Sequence, residues 1–152
     1  DQSGKLARQV APVYDNVNPD YPKSNGKYFS GGAGLSSTVE DYAKFLQMFL
    51  NKGQYNGVRI LSRKTVELIL TNQLYVPDAN PFGLAFGLET ESNDYQSIVS
   101  IGSFSWGGAF NTHYWADPKE QLIGIIYTNM YNSSQWSIGG KFKVLTYQSI
   151  ND

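Results

Sequence analysis

Apolar positions along this chain recur first at a helical period and then at a strand period. Ser37 with Glu40 makes a capping box, and Val39, Tyr42, Ala43, Leu46, Phe49 and Leu50 follow at helical spacing until Lys52-Gly53 stops the run. This predicts an amphipathic helix. Asn56-Gly57 between Tyr55 and Val58 predicts a tight hairpin, and Ser62 caps a second helix whose inner face carries Val66, Ile69 and Leu70 and which ends near Asn72. From Phe82 to Thr90 the period becomes two, with Phe82, Leu84, Phe86 and Leu88 on one face and Gly83, Ala85 and Gly87 on the other. So small a face requires a close neighbour.

Three further strands are predicted, Ile98 to Trp106, Ala109 to Ala116 and Gln121 to Thr128, the last two joined by Asp117-Pro118-Lys119-Glu120 with Pro at the second turn position. Leu122-Ile123-Gly124-Ile125-Ile126-Tyr127 lacks alternation, which predicts a strand buried on both faces and helices on both sides of the sheet. A last helix between Ser134 and Ile150, with Ile138, Phe142 and Leu145 at helical spacing, supplies one cover despite Gly139-Gly140. From Asp1 to Ser30, Pro12, Pro19 and Pro22 interrupt any helical period, so that segment is expected to be mostly loop.

Composition narrows the class. With 152 residues, 41% hydrophobic and 14% aromatic, the chain has one domain's length and enough apolar material for a core. A formal net charge of -1 with scattered Lys and Arg gives no basis for nucleic-acid binding. There is no cysteine, hence no disulfide, thiolate nucleophile or cysteine zinc site, and a single His among dispersed carboxylates makes no recognisable metal-ligand set. No apolar run approaches membrane-spanning length, and no cofactor motif is evident: Gly31-Gly32-Ala33-Gly34 lacks the Lys-Ser/Thr of a phosphate loop and the strand that precedes a dinucleotide site.

Ser103-Phe104-Ser105-Trp106-Gly107-Gly108-Ala109 carries the strongest chemical pattern. Two glycines beside a Trp let backbone N–H groups approach a ligand where a Cβ would obstruct it. With Ser30-Gly31-Gly32-Ala33-Gly34-Leu35-Ser36-Ser37-Thr38 leading into a helix, the order of segments resembles the C-terminal part of the serine β-lactamase and penicillin-binding protein family, closest to its class C β-lactamase, D-alanyl-D-alanine carboxypeptidase and esterase branch. The likeness runs from about Ser30 to Asn129. It implies an α/β (α+β) fold with an antiparallel sheet flanked by helices, a single partial domain over residues 1–152, and a bacterial, extracytoplasmic location.

In that family a Lys-Thr-Gly, His-x-Gly or Trp-x-Gly strand lines the acyl-transfer site, and the amide after its last Gly donates to the substrate carbonyl oxygen. Carried over, Trp106, Gly107 and Gly108 form the substrate wall and the Ala109 N–H is an oxyanion donor, so a side chain at Gly108 is expected to block substrate approach. The resemblance implies a serine hydrolase working through an acyl-enzyme on a β-lactam, a D-Ala-D-Ala-type peptide or a small ester. Trp106 stands where many members carry a Lys that pairs with a substrate carboxylate, which suits an esterase-like member.

The family's nucleophile, the Ser of a helical Ser-x-x-Lys, and its Tyr-x-Asn motif precede this segment in family members. Ser24-Asn25-Gly26-Lys27 matches by letters, but Pro22 and Gly26 oppose the helix; Tyr14-Asp15-Asn16 and Tyr127-Thr128-Asn129 match in unsuitable settings. The expectation is therefore a C-terminal portion of a longer enzyme, inactive alone, whose partners are a small-molecule or peptide substrate, its own N-terminal part and, through the edge beside Leu122 to Tyr127, a second copy. The rival reading is a binding or sensor protein that keeps the fold without the chemistry. His113, the lone histidine, has no nucleophile elbow to serve and is expected to be structural.

Overall fold

The structure is a computed structural model that describes residues 31–32, 34–131 and 137–151. The loop expected over residues 1–30, the letter matches at Ser24-Asn25-Gly26-Lys27 and Tyr14-Asp15-Asn16, and the first residues of the last predicted helix lie outside the described residues. Helix α1 spans Val39–Leu50. Its N-cap is Thr38 rather than Ser37: the Thr38 hydroxyl oxygen accepts from the Asp41 backbone N–H at 3.2 Å, and Ser37 turns its hydroxyl to the Thr38 carbonyl. Adjacent hydroxyl residues make both frames available, and the acidic residue at either third position satisfies the same N-terminal preference. The inner face carries Leu46, Phe49 and Leu50 as expected and also Met48, while Val39 remains 41% exposed.

The hairpin forms at Asn56-Gly57, with φ of 47° and 78°, between β1 (Gln54–Tyr55) and β2 (Val58–Arg59). Positive φ at both central residues is the requirement of a type I′ turn. Helix α2 (Arg63–Ile69) starts at Ser62, whose Oγ accepts from the Thr65 N–H at 3.0 Å. Beyond it, the expected nine-residue strand shrinks to β3 (Gly87–Leu88). The Gly83 N–H donates to the Phe86 carbonyl at 2.8 Å, which folds the segment into a turn and leaves Leu84 59% exposed. Its small residues serve a close approach nonetheless: the Leu84 N–H donates to the Ile69 carbonyl at the end of α2, where a Cβ on Gly83 would collide.

β4 (Phe104–Gly108), β5 (Thr112–Asp117) and β6 (Leu122–Ile126) complete an antiparallel sheet in the order β3-β4-β5-β6. The residues from Ile98 to Ser103, expected as strand, form turns: Gly102 has φ 94°, and the Ser103 N–H donates to the Ser100 carbonyl. Register then divides the sheet into two faces. Phe104, Ala116 and Ile123 share one row, and Trp106, Tyr114 and Ile125 the next, on the face toward α1; Ser105, Trp115 and Gly124 lie on the other face, under α3 (Ile138–Tyr147). Helices cover both faces as expected. On the α1 side, Phe49, Phe86 and Phe104 meet edge-on or tilted with centroids 4.9–5.9 Å apart, and Phe86 and Phe104 are each 1% exposed. Each such burial contributes roughly 1.5–3 kcal/mol. On the α3 side, Trp115 packs against Phe142 at 5.5 Å.

β6 is half-buried except at Gly124, a departure from the fully buried strand expected, because among the described residues no strand pairs with its outer edge. The Asp117 carboxylate anchors the β5–β6 turn. It is fully buried and accepts from the Lys119 and Glu120 N–H groups, from the Ser100 N–H at 2.9 Å and from the Tyr147 hydroxyl at 2.6 Å. Burial pushes this carboxyl up, but the Tyr147 hydroxyl and the Ser100 and Glu120 amides outweigh it and hold it below the usual carboxylate range. A depressed carboxyl stabilises the fold above its unfolded value near 3.8 and loses that contribution as pH falls through the folded value. We therefore expect thermal melts to show an acid-dependent loss of stability below pH ~4 that is smaller in Asp117→Asn, and Asp117→Ala to cost about 3 kcal/mol at neutral pH by orphaning those donors.

Candidate active site

The Trp106-Gly107-Gly108 segment lies on a strand, as the sequence predicts, and that strand is half open. β3 pairs only with the start of β4, Leu88 opposite Phe104 and Gly87 opposite Ser105. Past Ser105, among the described residues, only β5 flanks β4. Backbone groups of successive strand residues point to opposite edges. The Glu89 N–H donates to the Ser103 carbonyl at 2.9 Å, so the odd-numbered residues of this stretch face the β3 side; the Asn111 N–H donates to the Gly108 carbonyl at 3.0 Å, on the β5 side. Continuing that alternation, the backbone groups of Gly107 and the N–H of Ala109 point to the open edge. A chain segment laid beside β4 finds a donor–acceptor pair at Gly107 and a further donor at Ala109.

Ala109 itself is not in a strand. With Phe110 and Asn111 it forms a three-residue hairpin loop, Asn111 supplying the left-handed residue at φ 59°. Two side chains, those of Thr128 and His113, hold this tip. The Thr128 hydroxyl donates to the Phe110 and Asn111 carbonyls, and the His113 Nε2 lies 2.7 Å from the Asn111 Oδ1. Asn111 is 1% exposed. His113 also packs beneath Gly139 of α3, and burial first, then Lys143, hold its imidazole below the ordinary histidine range. It is a structural histidine that positions the hairpin. Sequence reading did not find Asn111 or Thr128, because their ties span 17 and 18 positions and follow no periodic pattern.

Trp106 projects from the α1 face, 56% exposed, its ring edge-on to Phe82 at 4.8 Å. Gly107 and Gly108 have tight neighbours within the hairpin: a Cβ on Gly108 would lie 2.5 Å from the Thr112 hydroxyl oxygen, and one on Gly107 2.8 Å from the Thr112 carbonyl oxygen. A side chain at Gly108 thus collides with Thr112 inside the hairpin, in addition to any obstruction of substrate expected of it. Behind Trp106, the Tyr42 and Tyr114 rings meet tilted with centroids 4.7 Å apart, with Tyr127 beside them. Burial pushes the Tyr127 phenol up to about 12, and its neighbour Thr128 supports the hairpin through its hydroxyl. Among the described residues, no group of His and carboxylates could hold a metal ion.

Comparison with known proteins agrees with the fold. A family model described as Beta-lactamase matches residues 2–137. An uncharacterized Mycobacterium tuberculosis protein is 35% identical over 111 residues, covering 63% of this chain and 28% of that protein; a putative D-alanyl-D-alanine carboxypeptidase of Escherichia coli O157:H7 is 30% identical over 107 residues, covering 68% and 24%. The chain thus spans about a quarter of the length of these relatives. Among solved structures, EstCE1, a hydrolase with promiscuous acyltransferase activity, superposes with TM-score 0.72 at 18% identity over 86% of this chain and 35% of its own. Simvastatin synthase (LovD) from Aspergillus terreus superposes with TM-score 0.69 at 21% identity over 96% and 43%. At those identities the superpositions establish a shared fold.

Proposed function

This chain belongs to the beta-lactamase family, and from that premise we propose that it builds the strand wall and one oxyanion donor of a serine hydrolase acting through an acyl-enzyme. The observation that carries the reading is the edge of β4 past Ser105, where Gly107 and the Ala109 N–H face a position that no strand among the described residues fills, while the Thr128, Asn111 and His113 contacts fix the hairpin behind them. Charge develops on the substrate carbonyl oxygen as the tetrahedral intermediate forms, and a donor already held in place stabilises it without reorganisation. The nucleophilic serine and its base come from sequence that the longer relatives carry, and the outer edge of β6 receives a strand from that same part.

Of the candidate substrates, small esters suit this wall best. An exposed indole backed by Phe82 offers an apolar surface and no cation for a substrate carboxylate. The test is acylation of the protein in its longest form by p-nitrophenyl esters and by penicillin, followed by mass spectrometry. A burst and a stoichiometric ester-derived adduct are expected, with slower acylation by penicillin, and the 152-residue chain alone should give neither. Ligand binding without an adduct would favour the non-catalytic sensor instead.

A further inference from the structure

On the face of the sheet covered by α3, a cavity of about 200 Å³ lies beneath the β3–β4 edge. Two groups of opposite charge line it, Glu89 just past β3 and Lys143 on α3. They do not join each other: the ion pairs among the described residues are on the exposed faces of α1 and α2. Glu89 Oε1 is buried and accepts no hydrogen bond, and the hydroxyl of Ser103, a residue 2% exposed that also lines the cavity, has no partner. Lys143 Nζ stands 5.5 Å from the centre of the Trp115 ring. Burial holds the Glu89 carboxyl above its ordinary range and the Lys143 ammonium below its own, while the opposite charge of each opposes the other's shift.

Packing alone does not call for such a set. Unpartnered buried polar atoms are rare in folded proteins, and here three of them, Glu89 Oε1, Ser103 Oγ and Trp115 Nε1, belong to residues that line one cavity with a shielded ammonium. An anion alone would meet the carboxylate of Glu89, and a cation alone would meet Lys143; a molecule that carries both signs leaves neither charge opposed.

We propose that this cavity binds a small zwitterion bearing an ammonium and a carboxylate, with its ammonium toward Glu89, its carboxylate toward Lys143 and the Ser103 hydroxyl as a third contact. At roughly 30 Å³ per water, the space holds about six waters or one free amino acid with a small side chain. The cavity shares Trp106 with the open edge of β4, but its charged groups lie on the opposite face of the sheet, so the site is separate from the acyl-transfer wall and independent of that reading.

Calorimetric titration of the intact protein with glycine, alanine and serine, set against acetate and methylammonium each alone, tests this directly, with tryptophan fluorescence lost in Trp115→Phe as a second readout beside Lys143. Saturable binding of the amino acids is expected, with either half-molecule weaker by about tenfold or more, and Glu89→Gln and Lys143→Met should each weaken amino-acid binding by about the same factor. The ligand panel on the unsubstituted intact protein decides the matter even where a variant does not fold. No saturation by any amino acid, equal binding of acetate and alanine, or binding indifferent to both substitutions would overturn the proposal and leave a cavity that holds water only.

Discussion

Replacing Ala109 by Pro in the intact protein is expected, on the proposed acyl-enzyme chemistry, to lower the acylation rate by about 10²–10³ while leaving the melting temperature nearly unchanged. Proline removes one backbone N–H and little else here. Ala109 is the first residue of the loop closed by the Asn111 N–H to the Gly108 carbonyl, the position of a type I turn that proline favours. Gly108 before it is extended in β4, the conformation that a following proline demands. The loss is therefore assignable to the donor rather than to the fold. Gly108→Val lacks that virtue, because its Cβ collides with the Thr112 hydroxyl and shifts stability together with chemistry. Stopped-flow acylation by an activated ester, paired with a thermal melt, separates the two quantities.

The second large effect belongs to the sheet. Gly124 of β6 sits directly under the Trp115 indole, and a Cβ there would lie 2.1–2.4 Å from three of its ring atoms; the ring is 1% exposed and packs against Phe142. Gly124→Val is expected to cost about 3 kcal/mol, roughly 10 °C in melting temperature for a chain of this size. Trp115→Leu alone leaves a cavity and destabilises as well, but the double variant Gly124→Val/Trp115→Leu should recover part of the loss, giving a non-additive cycle. Additive losses would mean that the two residues do not share the space assigned to them.

Both effects rest on features of unequal visibility in the sequence. The Asn56-Gly57 turn, the Ser62 cap and the β5–β6 turn around Pro118 were legible because each is decided by a few neighbouring residues. Thr38 was displaced by Ser37 because two adjacent hydroxyls, followed by two adjacent carboxylates, fit the same cap in either frame. Alternation suggests a longer strand between Phe82 and Leu88 than forms, and the strand expected from Ile98 begins only at Phe104. There the apolar side chains serve turns whose hydrogen bonds, Gly83 to Phe86 and Ser103 to Ser100, have no signature in a period-two pattern.

At the candidate site, Trp106-Gly107-Gly108-Ala109 stood out because glycines on a strand signal close backbone approach. The half-open edge did not, since it depends on how short β3 turns out to be. Glu89 and Lys143 were invisible as a pair. They are brought to one cavity only when α3 folds back over the sheet, and neither residue is unusual in its local sequence.

The central claim, that the open edge of β4 is the wall of an acyl-transfer site, is tested most directly by the structure of the intact protein inactivated with an alkyl phosphonate ester. The account predicts the phosphonate on a serine outside this chain, with its oxyanion-mimicking oxygen about 3 Å from the Ala109 nitrogen and its substituent laid along Gly107 beside Trp106. A phosphonate oxygen held by donors elsewhere, with the edge of β4 beyond Ser105 covered by another strand of the protein, would contradict it.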